Sequence, residues 1–265
     1  MAKPIKTPKF KGYRGMTTAR ARLVKLRGHV IEKQFADLIG GTPYPGTNKK
    51  DVIDKQNNIH SVKGGDHKWQ WFLYGKKRFE ESVGFHGAGY FLELINSFPD
   101  SRLKYERDKA LYKRSLQKAM RGLRDFLDAP ADKTRFMHGH KIVFLNEALF
   151  HSSEVDYLTI NQGEEFHIFD AGEVIKHIDE QTTLENSKGT QAGQFNDQKV
   201  IFKMKDGTTI GEIEMRNDSA THYRQVKFWM DKNKVLPLLI ASSTKIKKLP
   251  NKIFTYGRAA ERFKL

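Results

Sequence analysis

The sequence predicts a mixed α/β protein of the α+β kind, a central mixed sheet flanked by helices, with a β-rich C-terminal half. Three observations carry this. Two stretches of the first half, about Thr17 to Leu38 and about Ser101 to Leu127, place apolar residues at helical spacing. Between them, Lys50 to Lys63 alternates like a strand, a polar turn and a second strand. After Pro130, short runs rich in Val, Ile and Phe recur between polar turns.

Taken in order, Met1 to about Gly15 holds Pro4, Pro8 and interspersed lysines and reads as an extended arm. The first helix carries Val24, Ile31, Phe35 and Leu38 on one face, with Glu32 at its border, and Gly40-Gly41 closes it. Thr42 to Asn48 is a loop. Val52 and Ile53 begin a strand, Asp54 to Asn58 supplies turn material, and Ile59 to Lys63 returns as a half-buried strand. Such a hairpin lets Asp51 meet Ser61 and Lys63, which share a face because strand side chains alternate. Gly64-Gly65 breaks the strand. The aromatic stretch from about Lys68 to Glu81 reads as a helix packed through Trp69, Phe72, Leu73 and Phe79, with Gln70 and Tyr74 four apart on one face.

An acid, then Ser-x-Lys, then Gln-x-x-x-Tyr resembles the core of the PD-(D/E)XK nucleases, and among them the type II restriction endonucleases, over about residues 16 to 82. The resemblance implies a restriction-endonuclease-like core. It makes Asp51 a Mg²⁺ ligand and Lys63 the lysine that orients and helps deprotonate the attacking water, with Ser61 and Gln70 in the same group. Two departures stand out: Lys50 replaces a proline, and Ser61 occupies the position usual for a second acid. Restriction enzymes with Ser-x-Lys take the missing carboxylate from a neighbouring helix. Glu32 is the favoured second metal ligand here, with Glu80 and Glu81 as alternatives. Phosphodiester cleavage is an in-line displacement at an anionic phosphorus, so a divalent ion that offsets charge and lowers the pKa of the attacking water suits the task. Mg²⁺ takes hard oxygen ligands, typically one or two carboxylates with waters and substrate phosphate.

On this reading residues 1–15 form a basic arm and 16–130 the nuclease core with a helical extension. Residues 131–244 form a β-rich half that completes the core and recognises DNA, and 245–265 a basic tail. Ser101 to Leu127 is the amphipathic element available for pairing two subunits. Lys141 to Leu145 reads as a strand, with His138 and His140 beside it in a structural or surface role, and Gln181 to Asn196 as a long polar loop. Val200 to Asn217 is a hairpin turning at Lys205-Asp206-Gly207. Its Asp206, Glu212 and Glu214 could hold a metal, but a solvated charged face explains them better. Arg216, Asn217, His222, Tyr223, Arg224, Gln225 and Lys227 are the candidate DNA readers, because Arg suits guanine edges and Asn or Gln adenine edges.

Composition agrees with a nucleic-acid partner. Over 265 residues the formal charge is +16. Met1 to Gly28 has nine Lys or Arg and no acid, and Lys245 to Leu265 has seven against Glu261, so the two ends carry +15 of that excess. Basic ends on a balanced body suit phosphate contacts. With no cysteine, disulfides and thiolate metal sites are excluded, which fits a cytoplasmic location. No apolar leader or membrane-length run is present, so no membrane role is expected. The expected function is a Mg²⁺-dependent, sequence-specific double-stranded DNA endonuclease, active as a homodimer on a palindrome. The alternatives are a junction resolvase, a repair or transposition nuclease, and a non-catalytic DNA-binding protein.

Overall fold

The computed structural model describes residues 18–45, 49–65, 67–81, 84–130, 139–191, 193–217 and 219–265. The expected N-terminal arm lies outside them, as does His138. In chain order the described elements begin with α1 (Thr18–Ile39), β1 (Thr42–Pro43), β2 (Val52–Ile53), β3 (Ile59–Lys63), β4 (Lys68–Tyr74), α2 (Lys76–Glu81) and α3 (Ala88–Asn96). Then follow α4 (Arg102–Arg107), α5 (Lys109–Asp128), α6 (His140–Phe150), β5 (Tyr157–Gln162), β6 (Glu165–Asp170), α7 (Ala171–Gln181) and β7 (Thr182–Asn186). The chain ends with β8 (Lys199–Met204), β9 (Thr209–Arg216), β10 (Gln225–Asp231), α8 (Lys232–Ser242), β11 (Ile246–Leu249), β12 (Ile253–Tyr256) and α9 (Ala259–Arg262).

Among the described residues the fold is mixed, with two sheets and helices around them. The larger runs β1-β2-β3-β5-β6-β12-β11 and the smaller β4-β10-β9-β8-β7. In the larger sheet β3 lies parallel to β5 and β6 parallel to β12, while the other neighbours are antiparallel. The smaller sheet is antiparallel throughout.

Alternation along β3 decides how the site is built. His60 and Val62 face α1, where Phe35, Ile39, Val52, Tyr157, Phe166, Ile168 and Phe263 form one apolar cluster. Phe35 is fully enclosed, and burying a ring of that size contributes about 1.5–3 kcal/mol. Ser61 and Lys63 face the other way, toward the larger cluster around Trp69, Trp71, Phe72, Phe144 and Phe228. At the end of β3, a Cβ on Gly64 would lie 2.4 Å from Ile31 Cδ1, so glycine lets α1 approach the strand closely there. The hairpin turn is closed by Asp54, whose Oδ1 accepts from Gln56 N and Asn58 N, both at 2.8 Å.

Several expectations are corrected. Residues 68–74 form a strand, not the first turns of a helix: Trp, Phe, Leu and Tyr suit a pleated surface, and a spacing of four fits a strand as well as a helix. A bulge leaves Trp71 without a cross-strand partner in β10. Gln70 therefore pairs with Trp229 and is exposed, whereas Tyr74 pairs with buried Val226 and turns to the opposite side. Lys141 to Leu145 belongs to helix α6, whose Phe144, Leu145, Ala148 and Leu149 bury one face, and His140 opens that helix. The supposed loop 181–196 begins with the end of α7 and strand β7. The long helix over 101–127 is two helices meeting at Asp108, and its Leu116, Met120, Leu123 and Leu127 are buried in the subunit's own core. That face is unavailable for pairing two subunits.

The C-terminal residues are not a free basic tail. They form β11, β12 and α9, and Ile253, Ala259 and Phe263 are core. Four of their seven basic side chains are paired: Arg262 Nη1 lies 3.2 Å from Asp170 Oδ2, Arg258 Nη2 2.5 Å from Asp170 Oδ1, Lys245 Nζ 3.1 Å from Glu261, and Lys252 pairs with Glu164.

Candidate active site

Strands β2 and β3 bring together three of the five residues expected to be catalytic. One carboxylate oxygen, Asp51 Oδ2, accepts from Val62 N at 2.7 Å, Lys63 Nζ at 3.1 Å and Ser61 Oγ at 3.4 Å. The backbone fixes this geometry, since Asp51 N donates to His60 O and Tyr44 N to Asp51 O, both at 2.9 Å. Ser61 is buried, while Asp51 and Lys63 keep 17% and 19% of their side chains exposed, so a solute can reach both. Asp51 Oδ1 accepts no hydrogen bond among the described residues, which leaves one oxygen open to a hard cation. The Lys63 ammonium also lies 5.6 Å from the Trp71 ring centroid, a cation–π contact that ties β3 to β4. Trp69 Nε1 donates to Gly64 O at 3.0 Å and Lys232 Nζ to Gly65 O at 2.6 Å, which hold the link after Lys63.

The other two expected residues stand apart. Glu32 is on α1, across the sheet from Ser61 and Lys63, and its Oε2 lies 3.0 Å from His29 Nδ1. It follows Ile31, which packs on Gly64, so α1 passes β3 at the end where Lys63 stands. Gln70 is exposed on the smaller sheet and bonds neither Asp51 nor Lys63. Among the described residues, no group of three or more His, Asp or Glu is assembled for a metal. A magnesium ion does not need one, because one or two carboxylates completed by waters and phosphate are enough. Glu80 and Glu81 are paired with Lys76 and Lys77 along their own helix, each at 3.5 Å.

Four residues escaped the sequence reading: Lys49 and Trp71, which neighbour Asp51 and Lys63, and Arg78 and His151, which neighbour Lys49. The Lys49 ammonium is enclosed and has no hydrogen-bond partner among the described residues. Burial, then repulsion from Lys63 and Arg78, pulls its pKa down to about 7. Arg78 lies over the Tyr74 ring at 5.4 Å and shares a cavity of about 320 Å³ with His151, Glu147 and Glu154. Burial, then the charge of Lys49, pulls His151 down to about 4, so its ring is neutral at pH 7. His151, Ser152 and Ser153 are all left-handed, with φ of 47°, 58° and 71°. Non-glycine residues held there cost on the order of 1–3 kcal/mol each. Trp71 Nε1, the fourth group, is also buried without a partner among the described residues. The pair of lysines before Asp51 was the one signal in the sequence. Arg78 and His151 gave none, because only the fold brings them together.

The candidate DNA readers divide. Tyr223 donates to Pro99 O at 2.7 Å, and Arg224 Nε to Ile95 O at 3.1 Å with Asp100 on the same guanidinium. Asn217 donates to Tyr105 Oη at 2.7 Å, and His222 N to Ser219 Oγ at 3.2 Å. Tyr223, Arg224 and Asn217 are engaged with α3, α4 and the turn between them, a structural role and not a set of free base readers. Gln225, Lys227 and Arg216 lie on the outer face of the smaller sheet, where Lys227 pairs with Glu214 at 3.3 Å. The rival carboxylates are neutralised there: Lys199 Nζ lies 2.7 Å from Glu212 and 3.6 Å from Glu214. Asp206 closes its own turn, accepting from Thr208 N at 2.8 Å.

No family model, curated protein or solved structure matches the chain. No helix among the described residues is long and apolar enough to cross a membrane.

Proposed function

We propose that the protein is a Mg²⁺-dependent endonuclease of double-stranded DNA, of restriction type, with Asp51 and Lys63 at its catalytic centre. The observation that carries this is the convergence of the Lys63 ammonium, the Ser61 hydroxyl and the Val62 amide on a single oxygen of Asp51, with the other oxygen open. The likeness of Asp51, Ser61 and Lys63 to the PD-(D/E)XK pattern supports the same reading. The Gln-x-x-x-Tyr part of that likeness lends nothing further, because Gln70 lies on a strand away from the group.

Asp51 would hold the ion, and Glu32, the favoured second carboxylate, would have to reach it from α1 around the end of β3 where Ile31 packs on Gly64. Bound there, Mg²⁺ would offset phosphate charge and favour ionisation of the attacking water. The chain's own part is positional and electrostatic. Val62 N and Ser61 Oγ fix one face of the Asp51 carboxylate. Lys63, an amine with three donors, can keep its bond to Asp51 while orienting a water and stabilising the hydroxide that develops from it. Two copies of such a site, related by a two-fold axis, would cut both strands of a palindrome. A homodimer is therefore part of the proposal, as is a cytoplasmic location.

Incubation with a long linear duplex of mixed sequence tests it. The proposal expects discrete fragments in Mg²⁺ and none in EDTA. Cutting confined to branched DNA would instead favour a resolvase, and binding without cutting in any divalent metal a non-catalytic DNA-binding protein.

A further inference from the structure

One cation near Asp51 and Lys63 has no part in the cleavage chemistry. Among the described residues the Lys49 ammonium has no hydrogen-bond partner although it is enclosed. Buried charges are normally paired, so an unpaired one marks a missing counter-charge. The acids around it are already engaged. Asp51 holds Lys63 at 3.1 Å, Glu154 holds Lys50 at 2.8 Å, and Glu147 Oε2 accepts from His86 N at 2.5 Å. The electrostatic neighbours of Lys49 are Lys63, Arg78 and His151. Arg78 has no carboxylate partner among the described residues, and its guanidinium borders the same cavity as the His151 ring. Glu147 and Glu154 also line that cavity, but with Glu154 held by Lys50 and Glu147 by the His86 amide, the Arg78 guanidinium and the Lys49 ammonium are left without a carboxylate of their own among the described residues, a pair of cations that fits a phosphate group.

We propose that the cavity bounded by Arg78 and His151, with the Lys49 ammonium behind it, holds a backbone phosphate of the nucleic-acid strand, next to the phosphate on which Asp51 and Lys63 act. This rests on the nuclease reading for its partner and deepens it. The site supplies grip and register and no bond-making step. Because it follows the shape of the backbone and not base edges, its effect is the same on every sequence. Lys49 is held unpaired in the free protein and gains its counter-charge only on binding.

The test is metal-free binding of the full chain to a mixed-sequence duplex of about 20 base pairs over a range of salt, alongside thermal unfolding without DNA. Arg78→Gln should weaken binding and lower the slope of log affinity against log salt by about 1. Lys49→Met should weaken binding as well, while its Tm stays at or above that of the wild type because an unpaired buried charge is gone. Lys77→Gln, on the same helix but exposed and paired with Glu81, should keep the Arg78→Gln effect from being mistaken for a general loss of charge by changing the slope less. Wild-type slopes for both Arg78→Gln and Lys49→Met would overturn the proposal. So would a phosphate-dependent rise in Tm, at constant ionic strength, that Arg78→Gln abolishes while its DNA slope is unchanged, since the cavity would then take free phosphate. Cleavage in Mg²⁺ is scored separately. A chain that cuts DNA but shows unchanged slopes loses only this proposal, and one that shows the expected slopes but never cuts loses only the nuclease reading.

Discussion

Lys63 Nζ and Asp51 Oδ2 lie 3.1 Å apart on neighbouring strands, and Val62 N donates to the same oxygen at 2.7 Å. The carboxylate therefore satisfies a buried backbone donor as well as pairing with the lysine. Asp51→Ala strands that amide and should destabilise the protein by about 1–3 kcal/mol. Lys63→Met leaves the amide bonded and should cost less. Urea unfolding of the two variants checks the order, and an equal or larger loss for Lys63→Met would show that the ion pair, not the amide bond, holds the hairpin.

The proposed second carboxylate can be tested by substitution. Glu32→Ala should lose cleavage while keeping DNA binding, whereas Glu80→Ala and Glu81→Ala, which break only exposed pairs within α2, should cut at near wild-type rate. Cleavage in Mg²⁺, with binding followed separately, checks this. The opposite pattern would move the ligand to α2.

Arg224 is a test of structure against recognition. Its guanidinium meets Ile95 O and Asp100, and its backbone is left-handed at φ 58°. Arg224→Ala should cost about 1–3 kcal/mol of stability and weaken binding equally on all sequences. Binding selections with randomised duplexes would contradict this if base preference at one position changed while the unfolding free energy did not.

Stability should fall on the acid side of neutrality. His167, beside Glu165 and Lys232, is lowered by burial, and so are His86 and His151. A depressed folded pKa means that the unfolded chain binds more protons between that value and about 6.5, so the stabilisation is complete above about pH 6.5 and is lost as pH falls below it. Each proton contributes at most about 1.4 kcal/mol per pH unit. Urea unfolding at pH 7.5 and pH 5 should differ in that direction, and His167→Gln should shrink the difference. Equal stability at the two values would contradict it.

Much of the site was legible because it is local. The alternation of Ile59 to Lys63, with Asp54 and Asn58 to close the turn, is enough to face Asp51 with Ser61 and Lys63. Gln70 and Tyr74 misled because a spacing of four repeats on both a helix and a strand, and the bulge at Trp71 that separates them arises only when β4 meets β10. The C-terminal residues were read from their charge. Their apolar members, Ile253, Tyr256, Ala259 and Phe263, carry the fold, while Arg258 and Arg262 pair with Asp170 far back in the chain. Lys49, Arg78 and His151 come from three separate segments, and no pattern in any one of them reveals that they gather around one cavity, lined by Arg78 and His151.

The most direct measurement of the central claim is single-turnover cleavage in Mg²⁺ by Asp51→Ala, Lys63→Ala and the double variant, set against Glu212→Ala and Glu214→Ala. Groups that act on one water are non-additive. Each single variant should lose several orders of magnitude in the chemical step with DNA binding retained, and the double should be scarcely worse than the slower single. Glu212→Ala and Glu214→Ala should stay close to wild type. Cleavage at the wild-type rate by Asp51→Ala and Lys63→Ala, with Glu212→Ala or Glu214→Ala inactive, would contradict the account and move the catalytic centre to the smaller sheet.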